Sequence, residues 1–213
     1  MIKLYDCLSC PYGQKVRIVL AEKSLAYELL AVDLAQNEHR KPEFLRLNPF
    51  GRVPVLADDE ATVYDSTTIN EYLEDEYPEP PVLPPVGESA LRARARLFED
   101  FADTSFTPQA GQLIAELAKP EAERDGARVA RLRQSIERVL DYLNHELGGN
   151  GFLAGEFSIA DIGFAPRMLV LAELGIDVAG NGRAGVDAWL KRMRERPSVA
   201  GLKGAGAVPI AGG

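Results

Sequence analysis

Apolar residues are spaced in two different ways along the chain, and the change falls at a cluster of prolines. Up to residue 77, short apolar runs of the kind that form buried strands alternate with stretches whose apolar residues recur every three or four positions, the period of a helix face. Residues 2–5 read as a strand, 11–23 as a helix with Val16, Val19 and Leu20 on one face, 27–33 as a second strand, and 42–47 as a short helix. Residues 54–57 and 61–64 flank Asp58-Asp59-Glu60 as a hairpin, and 66–77 form a helix with Ile69, Tyr72 and Leu73 inward. Pro11 suits the first helical position, with Cys10 as the N-cap. The order β-α-β-α-β-β-α predicts a parallel strand pair joined by a right-handed crossover, with the hairpin adding antiparallel strands to the same sheet.

Five prolines in the eight residues 78–85 cannot continue a helix or a central strand, because each fixes φ and lacks an N–H. They predict a stiff linker over 78–88, between a mixed domain at 1–77 and an all-helical domain at 89–202. In the second domain one helix is expected over 89–117. A second carries Val129, Leu132, Ile136, Val139, Leu140, Leu143 and Leu147 on one stripe and is stopped by Gly148-Gly149-Asn150-Gly151. A third is expected from 158 to 174, ahead of Gly175, and a fourth over 185–196, ended by Pro197. Residues 203–213, rich in Gly and Ala, read as a mobile tail.

Composition narrows the function classes. With 24 Lys and Arg against 32 Asp and Glu, the net charge is −8, which argues against nucleic acid and anionic membrane as partners. Two Cys and two His make neither a disulfide framework nor a zinc site unless all four converge, so no metal is expected. No apolar run is long enough for a membrane span and no secretory leader is visible at the start, so the expectation is a soluble, cytoplasmic protein.

Cys10 is the sharpest chemical feature. A thiol where a strand ends and a helix begins meets the positive end of the helix dipole and unpaired backbone N–H groups, which favour a thiolate and hence a reactive sulfur. The alternative is a small buried hydrophobe. Cys7 makes a formal Cys7-Leu8-Ser9-Cys10 motif, but on the side of Cys10 opposite to that of a resolving thiol in a thioredoxin-like motif, where this chain has Gly13. Cys7 is therefore read as structural, with a Cys7–Cys10 disulfide as the alternative.

Several further motifs follow in order. Cys10-Pro11-Tyr12 is followed by Val16-Arg17-Ile18-Val19-Leu20-Ala21-Glu22-Lys23, then Asn48-Pro49-Phe50-Gly51-Arg52-Val53-Pro54-Val55-Leu56, Asp65-Ser66, and Phe157-Ser158-Ile159-Ala160-Asp161. Together they resemble the soluble glutathione transferases, over about residues 2–200. The resemblance implies an α+β/α fold: a thioredoxin-like N-terminal domain followed by an all-α helical-bundle C-terminal domain. It implies glutathione as co-substrate. Val53-Pro54 would be the cis-proline motif whose preceding backbone pairs with the cysteinyl unit of glutathione like an added strand; a trans proline opening an edge strand is the alternative. Ser66 would hold the γ-glutamyl carboxylate at a helix N-terminus and Asp65 the α-amino group, beside plain capping. His39 and Arg40 resemble the basic pair for the glycyl carboxylate, and Arg52 falls where the family usually has Gln or Lys. Ser158-Ile159-Ala160-Asp161 reads as a capping box, structural and not catalytic.

Cys10 stands where other classes carry Ser, and Tyr5 reads as a core strand residue. Cys-type members favour thiol transfer or reduction, so the resemblance implies an enzyme with Cys10 as the reactive residue, acting by thiol transfer or by glutathione conjugation on a small hydrophobic or disulfide substrate. Gly13 in the resolving position suits a monothiol cycle, in which a second glutathione releases the first. Phe50 would be an aromatic key entering a partner copy, which implies a homodimer. Val16-Arg17-Ile18-Val19-Leu20-Ala21-Glu22-Lys23 and the proline-rich linker also resemble stringent starvation protein A, a relative that binds RNA polymerase without transferase activity; a non-catalytic regulator is the alternative function, and the presence of Cys10, Asp65 and Ser66 favours the enzyme.

Overall fold

The computed structural model describes residues 1–59 and 61–202, so the tail at 203–213 lies outside the described residues. Two compact units divide between Val82 and Leu83. The first contains β1 (Ile2–Asp6), α1 (Pro11–Glu22), β2 (Tyr27–Ala31), a single 3-10 turn at Glu38–Arg40, α2 (Pro42–Leu45), β3 (Val55–Asp58), β4 (Ala61–Tyr64) and α3 (Ser66–Glu76). The sheet order is β2-β1-β3-β4, with β1 and β2 parallel and the other two pairs antiparallel, the thioredoxin-like arrangement expected. Side chains alternate along β1, so Ile2, Leu4 and Asp6 point into the core. Beside the sheet, Val32, Phe44 and Val55 pack with Tyr5, Leu34, Leu47 and Val53. Tyr5 meets Phe44 edge-on with ring centres 6.5 Å apart, in keeping with a core strand residue.

The first stretch of the proline-rich segment is fastened to this unit. Lys23, fully buried, places its ammonium 2.7 Å from Glu74, 2.7 Å from the Tyr77 carbonyl and 2.9 Å from that of Pro80, while Glu74 accepts from the Val82 N–H at 3.0 Å. A buried ion pair is tolerable only when its remaining hydrogen-bonding capacity is filled in this way.

The second unit holds α4 (Ser89–Phe101), α5 (Thr107–Leu117), α6 (Gly126–Leu147), α7 (Ile159–Met168), α8 (Ala184–Glu195) and a short α9 (Pro197–Ala200). The single helix expected over 89–117 is interrupted by a π turn at Ala102–Phe106. Pro108 explains the break, because it offers no N–H to the carbonyl of Thr104. The third expected helix stops short as well. Pro166 lies in its last turn, and beyond Met168 the backbone tightens into i→i−3 bonds, such as Leu174 N–H to Leu171 O at 3.0 Å, before Gly175 at φ 73°.

The capping box expected at Ser158 and Asp161 is present. Asp161 also accepts from the Leu153 N–H at 3.1 Å and from the Trp189 indole at 2.7 Å, which ties α7 to α8. Arg183 is bonded to Glu137, to Asp141 at 2.7 Å and to the Asp177 carbonyl at 3.1 Å. None of the described helices is long and apolar enough to cross a membrane.

Candidate functional site

Strand register gathers the candidate residues at one end of the sheet. Asp6 closes β1 and lies level with Ala31 at the end of β2. Val55, the first residue of β3, pairs with Tyr5 and with Tyr64, the last residue of β4. The segments leaving this edge are therefore the Cys10 turn after β1, the loop with His39 and Arg40 after β2, Arg52-Val53-Pro54 before β3, and Asp65-Ser66 after β4.

Each segment has a local cause. The Val53–Pro54 bond is cis, as expected. The loop ahead of it is organised by Asn48, a buried amide that donates to the Arg52 carbonyl at 2.8 Å and accepts from the Phe50 N–H at 3.0 Å. Among the described residues neither the N–H nor the C=O of Val53 has a backbone partner. Asp65 has φ 75°, a conformation costly for a non-glycine residue, of order 1–3 kcal/mol. The cap of α3 is Asp65 rather than Ser66: its carboxylate accepts from the Thr68 N–H at 3.0 Å. Ser66 is instead the buried first residue of the helix.

Arg40 stands 3.5 Å from the Phe50 carbonyl, and Gly51 packs against the His39 carbonyl at φ 60°, so the two loops support each other. His39 Nδ1 is shielded from solvent without a hydrogen-bond partner among the described residues, and Arg52 is exposed.

Cys10 is the N-cap of α1 at φ −70°, with no side-chain capping bond. The turn before it closes through Cys10 N–H to Cys7 O at 2.8 Å. Two side chains from α1 staple that turn at the Leu8 carbonyl, Gln14 at 3.3 Å and Arg17 at 2.5 Å. Arg17 also brings its Nε to 3.2 Å from the Asp6 carboxylate, out of line for a hydrogen bond. Both cysteines are free and each residue is partly exposed, although the Cys10 sulfur itself is buried.

The electrostatics reverse the expected low thiol pKa. Burial of the sulfur is the largest influence on Cys10 and the Asp6 charge the next; together they push its pKa up to about 11. The N–H groups of Gly13 and Tyr12 pull the other way, as a helix N-terminus should, and are outweighed. Burial likewise raises Asp6 to about 7, against the pull of Arg17. Asp6, Gln14, Arg17 and Asn48 are thus site-shaping residues that the sequence reading passed over. For Asp6 the available signal was the alternation Ile2, Leu4, Asp6, which puts a carboxylate on the core face of β1.

On the second unit, Leu97, Phe98, Phe101 and Tyr142 line an apolar depression of about 280 Å³ between α4 and α6. Leu97 is 60% exposed. On the first unit Phe50 is 64% exposed and meets Tyr64 edge-on at 6.0 Å. Among the described residues no group of three or more His, Cys, Asp or Glu side chains is placed to hold a metal ion.

Comparison with known proteins gives a consistent result. The family model for the glutathione S-transferase N-terminal domain matches residues 4–81, and that for the glutathione S-transferase C-terminal domain matches residues 106–197. A stringent starvation protein A homolog from Pasteurella multocida is 34% identical over 189 residues, 88% of this chain and 82% of the relative. Glutathione S-transferase 3 of Zea mays is 33% identical over 215 residues, 98% of this chain and 95% of the relative. Among solved structures, glutathione transferase URE2P8 from Phanerochaete chrysosporium with oxidised glutathione superposes with a TM-score of 0.84 at 28% identity, covering 94% of this chain and 92% of that one.

Proposed function

Because the chain belongs to the glutathione S-transferase family, we propose that it is an enzyme that binds glutathione at the sheet edge described above, with Cys10 as the reactive residue. The observation that carries this reading is the register that brings Cys10, the Val53 backbone beside Pro54, which has no backbone partner among the described residues, and the N-terminus of α3 to one end of the sheet. The γ-glutamyl end lies at Asp65 and Ser66, where the first N–H groups of an eleven-residue helix favour a carboxylate. The cysteinyl backbone pairs with Val53, which directs the thiol to Cys10. Arg40 and Arg52 supply positive charge for the glycyl carboxylate, beside the His39 imidazole.

The reaction is thiol transfer, in which the minor thiolate form of Cys10 attacks the glutathionyl sulfur of a mixed-disulfide substrate, forms a Cys10–glutathione disulfide and releases the substrate's own thiol. A Cys10 that keeps its proton at neutral pH also donates a hydrogen bond to a glutathione thiolate, which supports conjugation to a small hydrophobic electrophile. Titration calorimetry tests the binding mode: Ser66→Ala should bind glutathione about 10- to 100-fold more weakly, the loss of a hydrogen bond to a charged group. Unchanged affinity would remove Ser66 from the site.

The functional unit is a homodimer. Its supports are the exposed Phe50 and the apolar depression at Leu97, Phe98, Phe101 and Tyr142, with Phe50 of each copy filling the depression of the other.

A second reading rests on the 34% identity to a stringent starvation protein A homolog: a regulator that binds RNA polymerase and has no transferase activity. Retention on immobilised glutathione separates the two, since the enzyme binds and the regulator passes through.

A further inference from the structure

Gly13 holds the position where a thioredoxin-like motif would carry its second cysteine, and the structure shows why no side chain fits there. A Cβ at residue 13 would lie 1.8 Å from the Asp6 carboxylate, which is fully buried against the first turn of α1. The chain's other cysteine, Cys7, lies ahead of Cys10, its sulfur 3.4 Å from the Ser9 hydroxyl. Cys7 to Cys10 forms a β-turn closed by a 2.8 Å hydrogen bond, and a β-turn holds its first and fourth Cα atoms within about 7 Å, overlapping the roughly 4.4–6.8 Å span of disulfides. The turn does not have to be recruited: β1 fixes one end, α1 the other, and Gln14 and Arg17 pin its middle at Leu8. Both cysteines are free, neither being held in a disulfide.

We propose that Cys7 is the resolving thiol of this site, which makes its catalytic cycle a dithiol one. The inference rests on the reading that Cys10 takes up glutathione. Once Cys10 carries a glutathionyl group, the Cys7 sulfur attacks the Cys10 sulfur, the Cys10–glutathione bond breaks, and glutathione leaves with the proton that Cys7 gives up. The product is a Cys7–Cys10 disulfide. Two further glutathiones return it to the dithiol and depart as glutathione disulfide, so electrons balance without another reductant. The substrate class is a mixed disulfide between glutathione and another thiol, which leaves as the free thiol when Cys10 takes up the glutathionyl group.

The test uses the full chain, wild type and Cys7→Ser, treated with excess glutathione disulfide, blocked with iodoacetamide and weighed by intact mass spectrometry. Wild type should lose two hydrogens and take neither glutathione nor the blocking group, whereas Cys7→Ser should accumulate one glutathionyl adduct on Cys10. Equal adduct levels on the two proteins would overturn the resolving role and leave the glutathione reading standing. Diamide, which joins dithiols without glutathione, supplies the complementary arm. Wild type should form the internal disulfide with it, and failure to do so would also overturn the proposal. If Cys7→Ser takes up no glutathione, the underlying reading falls, and the resolving role with it.

Discussion

At Cys10 three influences compete, and their sizes decide the outcome. A helix N-terminus is worth about 0.3–1 kcal/mol to a nearby anion, less than the roughly 1.36 kcal/mol that moves a pKa by one unit. Burial and the Asp6 carboxylate act in the opposite direction and outweigh it, so the sulfur is held as a thiol. The strand–helix junction was legible in the sequence, but the carboxylate behind it was not, because the expected strand ended at residue 5, one short of Asp6. Asp6→Asn removes the negative charge and should lower the Cys10 pKa. Read from the pH profile of iodoacetamide alkylation in a Cys7→Ser background, the variant should react several-fold faster than its parent above about pH 7, where Asp6 is ionised, and the two should converge below it. Superimposable profiles would show that Asp6 does not govern the thiol.

Elements are set by exclusion as much as by propensity. The start of α1 touches the end of β1 so closely that Asp6 occupies the side-chain space of residue 13. Gly13→Ala should therefore destabilise the fold by about 1–3 kcal/mol or more, as overpacking does. Urea unfolding should show part of that loss recovered when Asp6→Ala is added, and strictly additive losses would mean that the two residues do not clash. The same elements show what the hydrophobic pattern could report. It placed every strand and the long stripe of α6, because those depend on which face is buried. It ran 89–117 together, and carried the third helix to 174, because apolar spacing continues through Pro108 and Pro166 while backbone hydrogen bonding does not. The capping box at Ser158 was legible because it is written in residues three apart; the bonds of Asp161 to Leu153 and Trp189 bring together distant stretches and were not.

Across the whole molecule, the ordered motifs carried the family and the two-part architecture, while long-range neighbours such as Lys23 beside Glu74, or Trp189 beside Asp161, came only with the structure. The assembly is tested by light scattering. A dimer should weigh twice the 23.2 kDa of the chain, and both Phe50→Ser and Leu97→Glu should shift it towards the single chain. A wild-type particle of 23.2 kDa at micromolar concentration would contradict it. The central claim is that glutathione chemistry runs through Cys10, and the most direct measurement is the ratio of thiol exchange with a glutathionylated substrate to conjugation of an aromatic halide. Cys10→Ser should abolish exchange, since a hydroxyl forms no mixed disulfide, while keeping or raising conjugation, since a serine hydroxyl is the better donor to a bound glutathione thiolate. Full exchange activity in Cys10→Ser would contradict the account.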